Sequence, residues 1–116
     1  MNIETFRQLC IAKPGVTEET PFGPETLVYK VAGKIFALTD MSSFESVNLK
    51  CDPERAVELR EVHEGITPGY HMNKKHWNTV LTDGRVKDAL IRQLLDHSYA
   101  LVVASLPKRV QAELRV

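Results

Sequence analysis

The stretch that decides the fold is a pair of strand-like runs around Ala32-Gly33, Leu27-Val28-Tyr29-Lys30-Val31 before it and Lys34-Ile35-Phe36-Ala37-Leu38-Thr39 after it. Both runs are rich in β-branched and aromatic residues, and a two-residue connection is the commonest hairpin turn. Such a turn predicts that Leu27 lies opposite Leu38 and that Tyr29 lies opposite Phe36, all on the face that packs on the core. The other face, with Val28, Lys30, Ile35 and Ala37, is too apolar for free exposure. The sequence leaves open whether a helix or a partner chain covers it.

The residues before the hairpin predict a helix and then a loop. Residues 2–13 carry apolar side chains, Cys10 among them, at helical spacing, with Asn2 in the N-cap position and Pro14-Gly15 as the stop. The segment from residue 16 to residue 26 contains two prolines and a glycine, so we predict a loop there. Phe22 is its predicted anchor into the core.

After the hairpin, residues 45–50 predict a third strand, because Val47 and Leu49 alternate with polar residues. Asp52-Pro53-Glu54 is a strong helix start, with a carboxylate cap and a proline at the first helical position. The helix is expected to reach about His63, with Ala56, Val57 and Leu59 inward and an acidic exposed side that would repel phosphate.

The C-terminal half predicts two short strands and two helices. The strands are expected around Tyr70-His71 and at residues 77–81, and the helices at residues 87–105 and 108–114. The predicted order is therefore α-β-β-β-α-β-β-α-α, an α+β class in which an antiparallel sheet is packed by helices in two layers. With no repeat or linker, residues 1–116 form a single domain.

Composition limits the possible partners. Lys plus Arg and Asp plus Glu both number 15, so the chain has no net charge, and any nucleic-acid binding must come from a local patch. No apolar run approaches the length that a membrane helix needs, and the N-terminus lacks a signal-peptide core, so we expect a cytoplasmic protein. Cys10 and Cys51 have no CxxC partner or metal-ligand spacing; Cys10 is predicted to be buried and inert.

Residues 68–81 concentrate the chemistry, with the single Trp, two of the four His, two Asn and a Lys pair. The pattern His71-x-Asn73-Lys74-x-His76-Trp77, with Ser98-Tyr99 downstream, resembles the MmcQ/YjbR family of small bacterial proteins. The resemblance extends over nearly the whole chain, through Lys13-Pro14-Gly15, residues 21–26, the hairpin and Leu49-Lys50. It implies a CyaY-like sandwich, also described as a double-wing fold, and a DNA-binding role.

Local charge supports a nucleic-acid hypothesis. Between residues 68 and 92 there are five cations against two acids, a local excess of +3. Lys74 and Lys75 lie on a predicted turn where they can reach phosphates, and Arg85 and Lys87 extend the patch. Asn73 and His76 are predicted to position or read the ligand. We expect weak, salt-sensitive and noncatalytic DNA binding, with no cofactor.

Three alternatives stand beside this hypothesis. In the first, His71, Trp77 and Asn78 are structural, and the segment supports a protein-binding or small-ligand-binding module. In the second, His71 and His76 bind a metal, which is disfavoured because no carboxylate or Cys lies beside them. In the third, the segment is catalytic, which lacks a Ser or Cys nucleophile at a suitable spacing. The oligomeric state is left open.

Overall fold

The computed structural model describes residues 1–69 and 72–114 and shows one six-stranded antiparallel sheet with helices on one face. The strand order across the sheet is β1-β2-β3-β4-β6-β5. The elements along the chain are α1 (Ile3–Ile11), β1 (Val16–Glu19), β2 (Thr26–Val31), β3 (Lys34–Asp40), β4 (Ser46–Lys50), α2 (Pro53–Val62), β5 (Ile66–Pro68), β6 (Trp77–Leu81), α3 (Asp88–Ala104) and α4 (Lys108–Glu113). The predicted α+β class is confirmed.

Helix α1 begins as the sequence predicts. The Asn2 side chain accepts a hydrogen bond from the Thr5 N–H at 2.8 Å, which satisfies one of the free amides of the first turn. Phe6 and Cys10 are fully buried on the inner face of the helix. The Phe6 and Tyr29 rings pack in a T-shaped arrangement with their centroids 5.9 Å apart, so α1 packs directly on the sheet.

The prediction of a loop over residues 16–26 is wrong in its first part. Residues Val16–Glu19 form strand β1, which pairs with the outer side of β2. A four-residue edge strand is too short to show a clear alternation, and its hydrogen bonds come from another strand, β2. Phe22 follows β1 and is 65% exposed, so the predicted core anchor is also wrong. The backbone turns at Gly23 instead and leaves the ring in solvent.

The hairpin forms around the predicted turn, but its register changes after two pairs. Ala32 and Gly33 have φ values of 49° and 81°, the type I′ geometry that a two-residue hairpin favours. Lys30 lies opposite Ile35, and then one extra residue in β3 places Tyr29 opposite Ala37 rather than Phe36. The bulge turns Ala37 into the core and Leu38 to the other face, contrary to prediction.

Helix α2 has the predicted cap, and one of its predicted inward residues is wrong. The Asp52 carboxylate accepts from the Arg55 N–H at 3.2 Å. Ala56 is fully buried and Leu59 is partly buried, because residues three apart share the face that packs on β5 and β6. Val57 lies one position further round the helix and is 48% exposed.

Helix α3 is tied to the sheet by one buried hydroxyl. Ser98 Oγ donates to the Phe36 carbonyl at 2.5 Å and accepts from the Lys50 N–H at 2.9 Å. The Ser98 side chain is completely buried, on the same helix face as the buried apolar residues Leu95 and Val102. A single residue of the helix therefore fixes its position over both β3 and β4.

The opposite face of the sheet, called here the open face, carries no helix within residues 1–69 and 72–114. Side chains alternate along the strands, so Val28, Leu38, Asn48 and Trp77 point to this face while their neighbours enter the core. All four are at most 7% exposed. None of the helices in this part of the structure is long and apolar enough to cross a membrane.

Candidate nucleic-acid interface

A turn at Asn73, Lys74 and Lys75, called here the lysine turn, connects β5 to β6. The Asn73 side-chain oxygen accepts from the Lys75 N–H at 2.9 Å, and the Asn73 carbonyl accepts from the His76 N–H at 3.1 Å. An Asn that bonds the backbone two residues ahead is a common way to fix a turn. The amide oxygen of Asn73 is therefore occupied, and its Nδ2 group is the part that faces solvent.

Arg60 of helix α2 holds the lysine turn in place. Its Nε donates to the Asn78 side-chain oxygen at 2.7 Å, and its Nη2 donates to the carbonyls of Lys74 and, at 3.4 Å, Trp77. Asn78 also donates from Nδ2 to the Ala56 carbonyl at 3.4 Å. Because Asn78 is only 2% exposed, its amide holds β6 to α2 and does not reach a ligand.

Trp77 is packed and not available for stacking. It is 7% exposed at the start of β6, and the Trp77 carbonyl accepts from the Gly69 N–H at 2.8 Å. A Cβ atom at position 69 would lie 2.7 Å from the Trp77 Cβ, so a glycine is needed for this close approach. Tyr70 and His71, where a strand was predicted, lie outside the described residues, so that prediction is untested; strand β5 is at Ile66–Pro68.

The Lys74 and Lys75 side chains are both exposed, and within the described ranges neither ammonium group has a carboxylate at ion-pair distance. Their surroundings differ. Lys75 borders a shallow depression that also includes Glu54 and Glu58 of α2. Those acids make the α2 side of the lysine turn unfavourable for a phosphate.

The sheet adds a third cation that sequence reasoning did not place at this site. Lys50 ends β4 directly opposite Trp77, and the Cys51 N–H donates to the His76 carbonyl at 2.7 Å. The alternation of β4 directs Lys50 to the open face. Only the pairing of β4 with β6 brings it beside the lysine turn, although the outward position of Lys50 was readable from the sequence.

Arg85 and Lys87 lie at the other end of β6. That strand has five residues, which corresponds to a rise of about 13 Å between its ends. Arg85 Nε lies 3.2 Å from the Asp83 carboxylate, and nearby Asp88 pairs with the N-terminal amine of Met1 at 2.9 Å. The six predicted contact residues therefore form two groups, a basic one at Asn73, Lys74, Lys75 and His76 and a mixed-sign one at Arg85 and Lys87.

Histidine chemistry gives no metal site in the described part of the chain, where no three His, Cys, Asp or Glu side chains gather. His71 is outside that part, so the expectation that His71 and His76 do not bind a metal together stays a prediction. His97 has a structural contact: its Nε2 accepts from the Asp52 N–H at 3.2 Å. Burial and, secondly, the charge of Arg55 lower the pKa of His97, which keeps the ring a neutral acceptor.

The two cysteines are packed thiols. Cys10 and Cys51 are free and at most 3% exposed. Burial raises the pKa of each thiol, so the nucleophilic thiolate is disfavoured. The burial of Cys10 agrees with the prediction, and Cys51 comes immediately after β4.

This geometry defines a class of protein, a small α+β domain whose antiparallel sheet has helices on one face and a basic turn at one end. Residues 11–101 match the model of the family described as YjbR. The chain therefore belongs to the YjbR family.

Similar proteins extend over nearly the whole chain. It is 42% identical over 113 residues to the uncharacterized protein YbdF of Escherichia coli O157:H7, covering 97% of this chain and 93% of that protein. Its identity to the uncharacterized protein YjbR of Escherichia coli K12 is 37% over 109 residues, covering 93% and 92%.

Two solved structures share the fold. The crystal structure of the Deinococcus radiodurans protein DR2400, with the domain DUF419, has a TM-score of 0.92 and 42% identity, covering 97% of this chain and 87% of that one. A Pseudomonas syringae crystal structure has a TM-score of 0.75 and 30% identity, covering 87% and 98%. These relatives define the family and the fold, and their names state no activity.

Proposed function

We propose that this protein is a noncatalytic, cytoplasmic nucleic-acid-binding protein and that the lysine turn is its contact with phosphate. The observation that carries the proposal is the state of Lys74 and Lys75. Two adjacent ammonium groups project from a turn that Asn73 and Arg60 hold in place, and in the part of the chain described neither is neutralised by an ion pair. A fixed turn presents its charges at a smaller entropic cost than a flexible segment does.

The charges set the side from which a nucleic acid approaches. Lys50 contributes a third ammonium group on the open face, whereas Glu54 and Glu58 lie on the α2 side of Lys75. A phosphate backbone is therefore attracted from the open face and repelled from α2. In this position Asn73 Nδ2 and the partly exposed His76 face the ligand next to the phosphate contacts.

The affinity should be low and strongly dependent on salt. Three phosphate contacts give a slope of about −2.7 for log K against log[salt] on duplex DNA, so binding weakens about 40-fold between 50 and 200 mM salt. The neutral net charge supplies no general attraction beyond these contacts. Arg85 and Lys87 make a weaker second contact, because Asp83 and Asp88 reduce the local positive potential.

Fluorescence anisotropy with labelled duplex and single-stranded DNA over a range of salt concentrations tests the proposal. We expect Lys74→Ala/Lys75→Ala to reduce the magnitude of the salt slope by about 1.8. The matched control is Lys108→Ala/Arg109→Ala, which removes the same charge from α4 near the β1 edge of the sheet.

An equal effect of the two double variants would mean that only net charge matters and would reject a site at the lysine turn. The double variant Arg85→Ala/Lys87→Ala then measures how much the mixed-sign group contributes to the salt slope. We expect it to change the slope less than the lysine-turn variant does, because Arg85 is already paired with Asp83.

The burial of Trp77 and Asn78 favours a structural role for these two residues. Trp77 and Asn78 are both buried and bonded to neighbouring elements, so they support the lysine turn without touching a ligand. This arrangement supports the structural alternative for these two residues and is compatible with phosphate contacts from their exposed neighbours.

A further inference from the structure

The open face contains a second candidate site, a concavity of about 470 Å³ close to the strand ends at Thr26, Asp40 and Ser46, called here the open-face concavity. This volume lies within the range of about 300–1,000 Å³ typical of small-ligand sites. Strands contribute most of its lining, including the hydroxyl residues Thr26, Ser46, Thr67 and Thr79. Polar groups on strands are held more precisely than groups on loops, as a binding site requires.

A buried amide with an unused donor lies in this concavity. Asn48 is 93% buried, with an exposed fraction of 7%, and its side-chain oxygen accepts from Thr79 Oγ1 at 2.6 Å. Within residues 1–69 and 72–114, Asn48 Nδ2 has no hydrogen-bond acceptor, yet no fully enclosed polar side-chain atom there lacks a partner. Nδ2 is therefore reached by solvent, and the concavity that Asn48 lines is its opening.

The state of Asn48 Nδ2 points to a ligand. Water can satisfy this donor in the free protein, and a ligand oxygen that replaces the water bonds to an amide that Thr79 already holds in position. If the Asn48 amide were turned by 180°, its oxygen would take the position of Nδ2 and Nδ2 would donate to Thr79, because the Thr79 hydroxyl can donate or accept. In both orientations one polar end of Asn48 faces the concavity.

The charges on the rim select the class of ligand. Among the lining residues that the structure describes, Asp40 and Glu45 are the charged ones, and both are acids. Hydrogen bonds to Asp40 from the Ser42 hydroxyl and from the backbone of Ser42 and Ser43 hold the pKa of this carboxyl below its usual value, so it is ionised at neutral pH. A phosphate or carboxylate is repelled here, whereas an ammonium group is attracted.

We propose that the open-face concavity binds a small amine-bearing polyol with the size and chemistry of an amino sugar. The ammonium group lies between Asp40 and Glu45, and the hydroxyls bond to Asn48 and to Thr67. Leu38 and Pro68 offer a limited apolar surface to the C–H groups of the ring. The site is separate from the lysine turn, because Ser46 and Lys50 are at opposite ends of β4 and the two sites attract ligands of opposite charge.

Nuclear magnetic resonance titration of the full chain tests this proposal. D-glucosamine is the probe, with D-glucose and D-glucose 6-phosphate for comparison. We expect saturable shifts with glucosamine at the Asn48 side-chain amide and at the backbone amides of Thr67 and Thr79. Glucose should shift the same amides but bind more weakly, and the phosphate ester should cause no saturable shift at these amides.

Glu45→Gln separates charge recognition from a general effect. It should weaken glucosamine binding by about threefold to tenfold, the usual effect of losing a charge-assisted hydrogen bond at an exposed site, and leave glucose binding almost unchanged. Glu61→Gln on the exposed side of α2 is the matched control and should change neither affinity.

The proposal is overturned if glucosamine gives no saturable shift, if its shifts map outside the open-face concavity, or if glucose 6-phosphate binds in the concavity as tightly as glucosamine does. If Glu45→Gln and Glu61→Gln weaken glucosamine binding equally, the placement of the ammonium group beside Glu45 is also overturned.

Discussion

Arg60 offers the sharpest test of the connection between helix α2 and the lysine turn. Its guanidinium bonds to Asn78 at 2.7 Å and to the carbonyls of Lys74 and Trp77. Replacement by methionine keeps most of the apolar stem of the side chain and removes the five N–H donors. The substitution therefore tests hydrogen bonding with little change in packing.

The expected loss of stability comes mainly from Asn78. Its side-chain oxygen would remain in a position that is 2% exposed without a donor, which costs about 1–3 kcal/mol. The Lys74 carbonyl belongs to an exposed residue, so water replaces its bond at little cost, and the 3.4 Å contact with Trp77 is weak. We expect Arg60→Met to lower the free energy of unfolding by about 1–3 kcal/mol and the melting temperature by about 4–12 °C.

Urea denaturation followed by circular dichroism measures this change, with Arg92→Met as the matched control. Arg92 is an exposed arginine of helix α3 and has no ion pair within the described ranges. A destabilisation by Arg60→Met within about 0.5 kcal/mol of the control would refute the proposed anchoring role. The variant Asn78→Leu, alone and combined with Arg60→Met, completes a double-mutant cycle. A coupling energy between Arg60 and Asn78 below about 0.5 kcal/mol would also contradict the anchoring role.

Three further predictions concern individual contacts of the fold. Ser98→Ala leaves two backbone groups without their buried partner and should cost about 2–4 kcal/mol in urea denaturation, whereas a loss under about 1 kcal/mol would contradict the bridging role. Ala32→Asn should raise stability by about 0.5–1 kcal/mol, because φ at this position is 49° and Asn tolerates the left-handed region; a lower melting temperature would contradict it. The pKa of His97 is lowered by burial, so the folded protein releases this proton more readily than the unfolded chain. The contribution of His97 is fully present above an unfolded pKa of about 6.5 and is lost as the pH falls through the folded value. We expect His97→Gln to reduce the fall in stability between pH 7 and pH 5, and an unchanged pH profile would refute this origin.

Local signals in the sequence were sufficient for most of the secondary structure. The N-caps Asn2 and Asp52, the turn at Ala32-Gly33 and the apolar stripe of α3 all predicted elements that the structure contains, because each depends on residues near one another in the chain. The same kind of evidence was insufficient for β1, whose hydrogen bonds are supplied by β2.

Register and exposure depended on contacts across the fold. The bulge in β3 moved Ala37 into the core, and Phe22 remained in solvent although a phenylalanine in a loop suggested an anchor. A shift of one residue reverses the faces of a strand, and the energy that decides between the two registers comes from packing against other elements.

In the candidate site, too, some features follow from the sequence and others only from the tertiary structure. The sequence by itself determined the composition of residues 68–81, the exposed character of the lysine pair and the absence of a general positive charge. The tertiary structure alone separated Arg85 and Lys87 from the lysine turn, placed Lys50 beside it and assembled the open-face concavity from five strands. Charge and hydrogen-bonding capacity belong to individual residues, whereas the distances that make them a site are set by strand pairing between segments far apart in the chain.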